Sequence, residues 1–511
     1  MRSIATIAAI IAAAASSGPA LGADAPPAPS TSATIQAPGQ PGDSVTHHTV
    51  VVGGKTISYS ATAGTIPITI TNDSGDHTAR MFYVGYTEDG VADPSTRPVT
   101  FLYNGGPGSS SMWLRMGSFG PKRITVGDAT PTAGPPFSLV DNEYSLIDKT
   151  DLVFVDAVGT GFSRITKGDP KDFYGVDPDI ASFGDFVQRY ITQNDRWNSP
   201  KFLFGESYGT PRTCGLVNYL QNNGIQMNGI VLLSSVINFS ELFTAGDGLD
   251  EQYVEYLPTE AAIAWYHHMA PGAPRDLRTV VANAKSFALG EYADVLHRGA
   301  WASSAEVDDA VNRMHDLTGL PAQFIRDDDL RVQPGEFRKQ LLHDDTEITG
   351  RYDARFIGAD ESPTGQFPDY DPSDSYISGA FVAAFNAYVR DDLKYKTDLQ
   401  YKPTAYNDIT NWDFDHKIDG NDFPIPDMMP DLRDAMTQNP NLKVFSANGY
   451  YDMATPFFGT DYLLAHLGID PSIQSNITYG YYESGHMVYL HVPALALFKA
   501  DLARWYDDVT R

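Results

Sequence analysis

A G-x-S-x-G pattern at residues 205–209 joins two segments of different character. Residues 202–204 are an apolar run typical of a buried strand, and residues 213–220 follow a helical pattern. A serine at such a sharp strand-to-helix turn projects its hydroxyl above the sheet. The glycines are required because strand and helix pass too close for side chains. The pattern therefore predicts a nucleophile at Ser207, facing the positive end of the helix dipole.

Apolar runs alternate with helical patterns along much of the chain, which predicts a mostly parallel sheet covered on both faces. Residues 49–86 instead alternate between apolar and polar side chains around glycine turns, and these predict antiparallel hairpins. The remaining predicted strands are at residues 99–103, 152–156, 229–237, 442–447 and 477–482.

The predicted domain organisation follows from where this alternation holds and where it stops. The segment between the two core parts is helical and irregular, and we expect it to cap the active face, with a separate second domain as the alternative. The five expected parts are a signal peptide at residues 1–22, a Pro/Ala/Ser-rich linker at 23–44, a first core part at 45–238, a helical cap insertion at 239–435 and a second core part at 436–511.

Charge and cysteine content exclude several classes of function. The formal net charge of -28 argues against nucleic-acid binding, which depends on basic surfaces. Cys214 is the only cysteine, so no intramolecular disulfide forms. The apolar run at residues 4–15 is too short to span a bilayer, so we expect export to the periplasm or medium without a membrane anchor. Because no metal, nucleotide or flavin motif is present, we expect no cofactor.

Two further residues complete a catalytic triad with Ser207. A serine hydroxyl needs a base within hydrogen-bond reach and an acid that orients the base. Asp452 and His486 each follow a predicted strand, and the order Ser, Asp, His is that of hydrolases built on a doubly wound sheet. The joint coincidence of order, strand context and flanking glycines predicts catalytic roles for all three residues.

Several blocks of sequence together resemble the serine carboxypeptidase family, whose members have the α/β-hydrolase fold. The resemblance runs from about residue 80 to the C-terminus. Its motifs are NGGPGSS at residues 104–110, VD at 155–156 with VGTGFS at 158–163, GESYG at 205–209 and GHMV at 485–488.

The resemblance implies roles for more residues of the site. The backbone N–H groups of Gly106 and Tyr208 match the oxyanion hole, and Asn104, Gly105 and Glu206 match the group that holds the C-terminal carboxylate of the substrate. Glu206 must donate a hydrogen bond to an anion, so it should bind best when protonated. The resemblance therefore implies that peptides with a free C-terminus are the substrates and that activity is strongest at acidic pH.

The sequence also departs from the family pattern. The family commonly has a second glutamate just before the Gly-Pro that follows the NGGPG block, and Ser118 lies near that position here. Ser109 stands where the family usually has a cysteine, and the family's disulfides are absent. These differences indicate a divergent, disulfide-free branch and leave Glu206 without its usual acidic partner.

Two other functions remain open at this stage. An esterase, amidase or acyltransferase would use the same triad and oxyanion hole but would not need Asn104 and Glu206. A binding protein on a hydrolase scaffold would need no triad at all. The residue preferred beside the scissile bond and the oligomeric state do not follow from the sequence.

Overall fold

The computed structural model describes residues 42–240, 248–409 and 411–511. The predicted signal peptide, residues 1–22, and residues 23–41 of the predicted linker lie outside the described residues. Residue 44, the last of that linker, is the first residue of a β-strand.

The strands of the described residues are β1 (Ser44–Val52), β2 (Lys55–Asn72), β3 (Gly75–Glu88), β4 (Val99–Tyr103), β5 (Lys122–Ile124), β6 (Leu139–Asp141), β7 (Asp151–Val155), β8 (Arg164–Lys167), β9 (Lys201–Glu206), β10 (Gly229–Leu233), β11 (Glu347–Thr349), β12 (Ile357–Ala359), β13 (His416–Ile418), β14 (Asn421–Phe423), β15 (Lys443–Gly449) and β16 (Ile477–Tyr482). Ten of them form a central sheet in the order β1-β2-β3-β7-β4-β9-β10-β15-β16, with β8 paired to β3. Three two-stranded ribbons, β5-β6, β11-β12 and β13-β14, lie outside it.

The pairing confirms the predicted sheet. Strands β1, β2, β3 and β7 pair antiparallel in succession, and all pairs from β7 through β4, β9, β10 and β15 to β16 are parallel. One predicted strand is too long: β10 ends at Leu233 because Ser234 has a φ of 52°, which an extended strand does not allow. The parallel strands bring their carboxyl ends to one edge, where ligands bind in sheets of this kind.

Alternate residues of the central strands face two separate apolar clusters, as the period of two along a strand requires. Phe202 and Phe204 of β9 pack into one cluster with the C-terminal helix Val492–Val509, whereas Leu203 packs into the other with the helix Gly209–Asn222. Both faces of the sheet are therefore covered.

The helices follow the alternation predicted for the core and fill much of the insertion. They are Met112–Leu114, Val176–Gln193, Gly209–Asn222, Glu251–Tyr266, Leu277–Phe287, Ala293–Arg298, Ser304–Thr318, Ala322–Asp327, Pro334–Gln340, Pro372–Ser375, Ser378–Asp391, Met429–Gln438, Phe457–Ala465, Pro471–Gln474 and Val492–Val509. Within the described ranges, none of them is long and apolar enough to cross a membrane.

Different parts of the predicted insertion pack in different places. The helices between residues 251 and 340 share an apolar cluster with Tyr208 and Tyr451, which flank the nucleophile turn and the end of β15. By contrast, Ser378–Asp391 packs with one face of the sheet and Met429–Gln438 with the other. The boundaries at residues 239 and 435 remain a prediction.

Candidate active site

The predicted strand-to-helix turn is confirmed around Ser207. Strand β9 ends at Glu206, the helix begins at Gly209, and Ser207 between them has a φ of 59°. A Cβ added to Gly205 would lie 2.1 Å from the Gly209 carbonyl oxygen, and one added to Gly209 would lie 2.9 Å from the Tyr103 carbonyl oxygen. Side chains at either position would push the helix off the sheet. Ser207 itself is partly exposed, so its hydroxyl is accessible.

Asp452 and His486 are brought together from the ends of two neighbouring strands. Asp452 follows β15 and His486 follows β16, and both side chains are buried. The His486 Nδ1 atom lies 2.8 Å from Asp452 Oδ2, within hydrogen-bond distance. A hydrogen on Nδ1 directed at Asp452 leaves Nε2 with a free lone pair, as a general base requires.

The turn that follows β15 holds the Asp452 carboxylate in place. Its oxygens accept hydrogen bonds from the backbone N–H groups of Ala454 and Thr455 at 2.8 and 3.0 Å, and from the Thr455 hydroxyl at 2.8 Å. With His486, four donors approach this carboxyl group. Four donors match the acceptor capacity of an ionised carboxylate.

The turn with Ser207 and the ring of His486 line a single cavity of about 640 Å³. In the described part of the chain, no hydrogen bond joins the Ser207 hydroxyl to His486. The loop after β4 supplies Asn104, Gly105 and Gly106 to the same cavity. All eight residues predicted for the site therefore lie at this edge of the sheet, with Asp452 buried behind His486.

The loop after β4 packs directly on the nucleophile turn. A Cβ on Gly105 would lie only 2.3 Å from the Tyr208 backbone nitrogen, and Gly106 has a φ of 110° that favours glycine. This close approach packs the loop that contains Gly106 against the turn that contains Tyr208, and both residues line the cavity. Two neighbouring backbone segments at the start of a helix are the arrangement that an oxyanion hole uses.

Glu206 is buried beside the nucleophile and is held by a neighbouring phenol. The Tyr489 hydroxyl donates to its Oε2 and Oε1 atoms at 3.0 and 3.1 Å, and the Asn104 side chain also lies close enough to lower its pKa. Burial raises the pKa of Glu206 to about 7, although the charge of His486 and these hydrogen bonds oppose the increase. The carboxyl group is thus poised to be protonated in mildly acidic solution.

Ser118 does not take part in this group. Its side chain is fully buried, and its hydroxyl donates to the carbonyl of Leu114, one turn earlier in the chain. The family resemblance implies an acid near this position. Here the side chain of Ser118 bonds only to the local backbone.

The charge of His486 depends on both acids. Burial lowers the pKa of His486, but the charge and hydrogen bond of Asp452 and the charge of Glu206 outweigh it and raise the pKa overall. Arg351 acts in the opposite direction because its positive charge lowers the pKa of His486. Protonation of Glu206 removes one nearby negative charge, which makes the imidazole easier to deprotonate.

Four residues of the site were missed by the sequence analysis. Thr455 could have been found, since a hydroxyl three residues after a loop aspartate often bonds back to it. Tyr489 follows the His486 motif, but its spacing does not reveal a partner. Tyr352 packs its ring 5.2 Å from that of His486, and Arg351 lies over the Tyr352 ring at 5.5 Å. Both belong to the insertion, where no pattern indicated the site.

The described residues contain no group of three or more His, Cys, Asp or Glu side chains arranged to hold a metal ion. Cys214 is buried in the helix after the nucleophile turn and has a free thiol.

Comparison with known proteins identifies one family. The family model described as serine carboxypeptidase matches residues 70–489. A pheromone-processing carboxypeptidase KEX1 of Arthroderma otae is 32% identical over 142 residues, which cover 26% of this chain and 19% of that protein. Serine carboxypeptidase-like 45 of Arabidopsis thaliana is 29% identical over 174 residues, which cover 32% of this chain and 35% of that protein. The matches thus span about a fifth to a third of these curated relatives.

Among solved structures, the prohormone-processing carboxypeptidase KEX1(Δ)p of Saccharomyces cerevisiae is similar to this chain with a TM-score of 0.54. The two are 18% identical, and the match covers 88% of this chain and 91% of the other. This likeness and the strand order confirm the expected α/β-hydrolase fold.

Proposed function

Because the chain belongs to the serine carboxypeptidase family, we propose that it is a serine-type carboxypeptidase that releases C-terminal residues from peptides. One observation carries the proposal: a buried acid that is readily protonated, Glu206, lies at the same cavity as Ser207 and His486. An acyl hydrolase that does not recognise a chain end needs no protonated acid to bind its substrate. An exopeptidase needs such a group to recognise the end of the chain.

In the proposed reaction, Ser207 Oγ attacks the scissile carbonyl carbon while His486 Nε2 takes the hydroxyl proton. The backbone N–H groups of Gly106 and Tyr208 stabilise the oxyanion, each typically worth ~10²–10³-fold in rate. The C–N bond then breaks, His486 gives its proton to the leaving amine, and the C-terminal residue departs. Water attacks the acyl-enzyme by the same route, with His486 first as base and then as acid.

The substrate's C-terminal carboxylate is proposed to bind Asn104, the Gly105 backbone N–H and protonated Glu206. A protonated carboxyl group donates to the anion, whereas an ionised one would place two negative charges together. Because the pKa of Glu206 is about 7, its protonated form predominates below that pH and is lost above it. We therefore expect kcat/KM for peptides to fall as the pH rises through about 7.

The decisive experiment compares a free peptide with its C-terminal amide from acidic to alkaline pH. We expect the free acid to be cleaved faster at acidic pH, and the advantage to shrink as Glu206 ionises. Equal turnover of the two substrates at every pH would overturn the carboxypeptidase proposal and favour an esterase or amidase. Labelling of Ser207 by a fluorophosphonate tests the third possibility, since a non-catalytic binding protein would not react.

The proposal also covers the helical insertion and the N-terminal segment. The helices between residues 251 and 340 are proposed to act as a cap, because their cluster adjoins Tyr208 and Tyr451 beside the active face. Residues 1–22 are proposed to direct export, on the evidence of their apolar run. Mass spectrometry of the mature N-terminus after secretion would test the second point.

A further inference from the structure

The buried acid of the carboxylate site has an unusual partner in this chain. Ser118, near the position expected for a second glutamate, turns its hydroxyl to the Leu114 carbonyl. Glu206 instead receives the Tyr489 hydroxyl, which reaches both carboxyl oxygens at 3.0 and 3.1 Å. A phenol thus occupies the role for which the family resemblance led us to expect an acid.

Tyr489 is held firmly enough to position what it touches. It lies in the short turn Val488–Leu490, directly after His486, and its side chain is buried. Its ring packs against Gly117, where an added Cβ would lie 2.4 Å from the ring edge. The hydroxyl also lies close enough to the Asn104 side chain, the other polar side chain of the proposed carboxylate site, for Asn104 to lower its pKa.

We propose that Tyr489 is a positioning residue for recognition of the substrate's C-terminal carboxylate, acting through its hydroxyl on Glu206. This inference rests on the proposed function and refines it. The side chain would not touch the reacting atoms. It would hold Glu206 so that the acidic proton points toward the substrate rather than into the protein.

A phenol and a carboxyl group have different consequences in this position. Burial and the neighbouring Glu206 raise the pKa of Tyr489 well above its ordinary value, so it stays neutral. A neutral hydroxyl donates to Glu206 in its ionised form and repels nothing, whereas a second carboxyl group would compete for the proton. The other titratable groups that act on Glu206 are His486, whose charge lowers its pKa, and Asp452, whose charge raises it.

The test is the variant Tyr489→Phe, which keeps the ring and removes the hydroxyl. We expect KM for a free peptide at acidic pH to rise by up to about tenfold, because protonated Glu206 loses the hydrogen bond that orients it. We also expect the alkaline limb of kcat/KM to move to higher pH, because ionised Glu206 loses a donor. At a pH well below 7, where Glu206 is protonated in both proteins, turnover of an uncharged ester should fall far less than that of the free peptide. Tyr506→Phe, which removes a buried hydroxyl bonded to Thr100, is the matched control.

A double-mutant cycle with Glu206→Gln separates positioning from general destabilisation. With a neutral amide at residue 206, removal of the Tyr489 hydroxyl should have no effect on how kcat/KM changes at alkaline pH. The inference fails if Tyr489→Phe leaves the alkaline limb of kcat/KM where the wild type has it. It also fails if Tyr489→Phe shifts that limb equally in the wild type and in Glu206→Gln, because Tyr489 then does not act through Glu206. The proposed function fails separately, if the wild type does not distinguish a free peptide from its amide.

Incorporation of 3-fluorotyrosine at residue 489 gives a second test that does not depend on the Phe variant folding. The fluorinated phenol is more acidic and donates a stronger hydrogen bond, so it stabilises ionised Glu206. The alkaline limb should then move to lower pH, opposite to the effect of Tyr489→Phe. No movement, or movement to higher pH, would contradict the assignment.

Discussion

Asp452 and Glu206 are both buried carboxyl groups that act electrostatically on His486, but their surroundings differ. Asp452 is approached by four donors, including two backbone N–H groups and His486 itself. Glu206 receives only the Tyr489 hydroxyl among the hydrogen bonds of the described residues, and burial raises its pKa to about 7. Burial is therefore common to both, and what distinguishes their surroundings is the number of hydrogen-bond donors that each carboxyl group receives.

The largest effect in this comparison is expected from Asp452→Asn. An amide cannot accept the Nδ1 hydrogen of His486 in the same way, so the ring loses the tautomer that leaves Nε2 free. We expect kcat to fall by about 10⁴-fold, with little change in KM, as measured on a free peptide. Asp470→Asn, at an exposed carboxylate, is the control. A decrease of less than tenfold would mean that Asp452 is not the orienting acid.

Glu206→Gln should have a smaller and qualitatively different effect. In the wild type, KM should rise with pH through about 7, since ionised Glu206 repels the substrate carboxylate. Glutamine cannot ionise, so the variant should lose this pH dependence, while KM below pH 7 rises by about tenfold. The measurement is KM for a free peptide across pH, with its amide as control. Retention of the wild-type alkaline limb would assign that limb to another group.

Thr455→Val tests how far the role of Asp452 depends on each of its hydrogen-bond donors. The Thr455 hydroxyl donates to Asp452 Oδ2 and also lies 3.1 Å from His486 Nδ1. Valine keeps the shape and removes one of four donors, so kcat should fall by about fivefold. Thr318→Val, at a buried threonine in an insertion helix, is the matched control. If both variants lose the same activity, the effect is one of general packing.

Arg351→Gln is expected to have the smallest effect. The arginine lowers the pKa of His486, so its removal should raise that pKa. Because the base must be neutral, the acid limb of kcat/KM should move to higher pH by about half a unit. Arg313→Gln, at an exposed residue of the helix Ser304–Thr318, is the control. A shift to lower pH would contradict the electrostatic argument.

Most of the sheet could be predicted because its signals are local. Strands β4 and β16 coincide with the predicted residues, since unbroken apolar runs bounded by turns leave few alternatives. The strand predicted at residues 229–237 was too long because the apolar pattern continues through Val236 and Ile237, while the backbone turns at Ser234. A change in φ leaves no mark on the pattern of apolar residues.

The insertion could be predicted only coarsely. Its helices were expected, but an apolar face does not indicate which surface of the protein it will cover. The helices of the insertion pack into three different apolar clusters. For the same reason Arg351 and Tyr352 were missed. A helix or loop reaches the cavity only through the way the whole chain packs.

The sequence by itself determined the nucleophile turn and the order of Ser207, Asp452 and His486, because these depend on spacing within each strand and the turn that follows it. Only the tertiary structure decided what faces Glu206. Tyr489 lies 283 positions away in the chain and meets Glu206 because β9 and β16 end at the same edge of the sheet. A pairing of that kind depends on the alignment of strand ends across the sheet, which local patterns do not encode. The fold, and not the motif, therefore decides whether a second acid or a phenol holds Glu206.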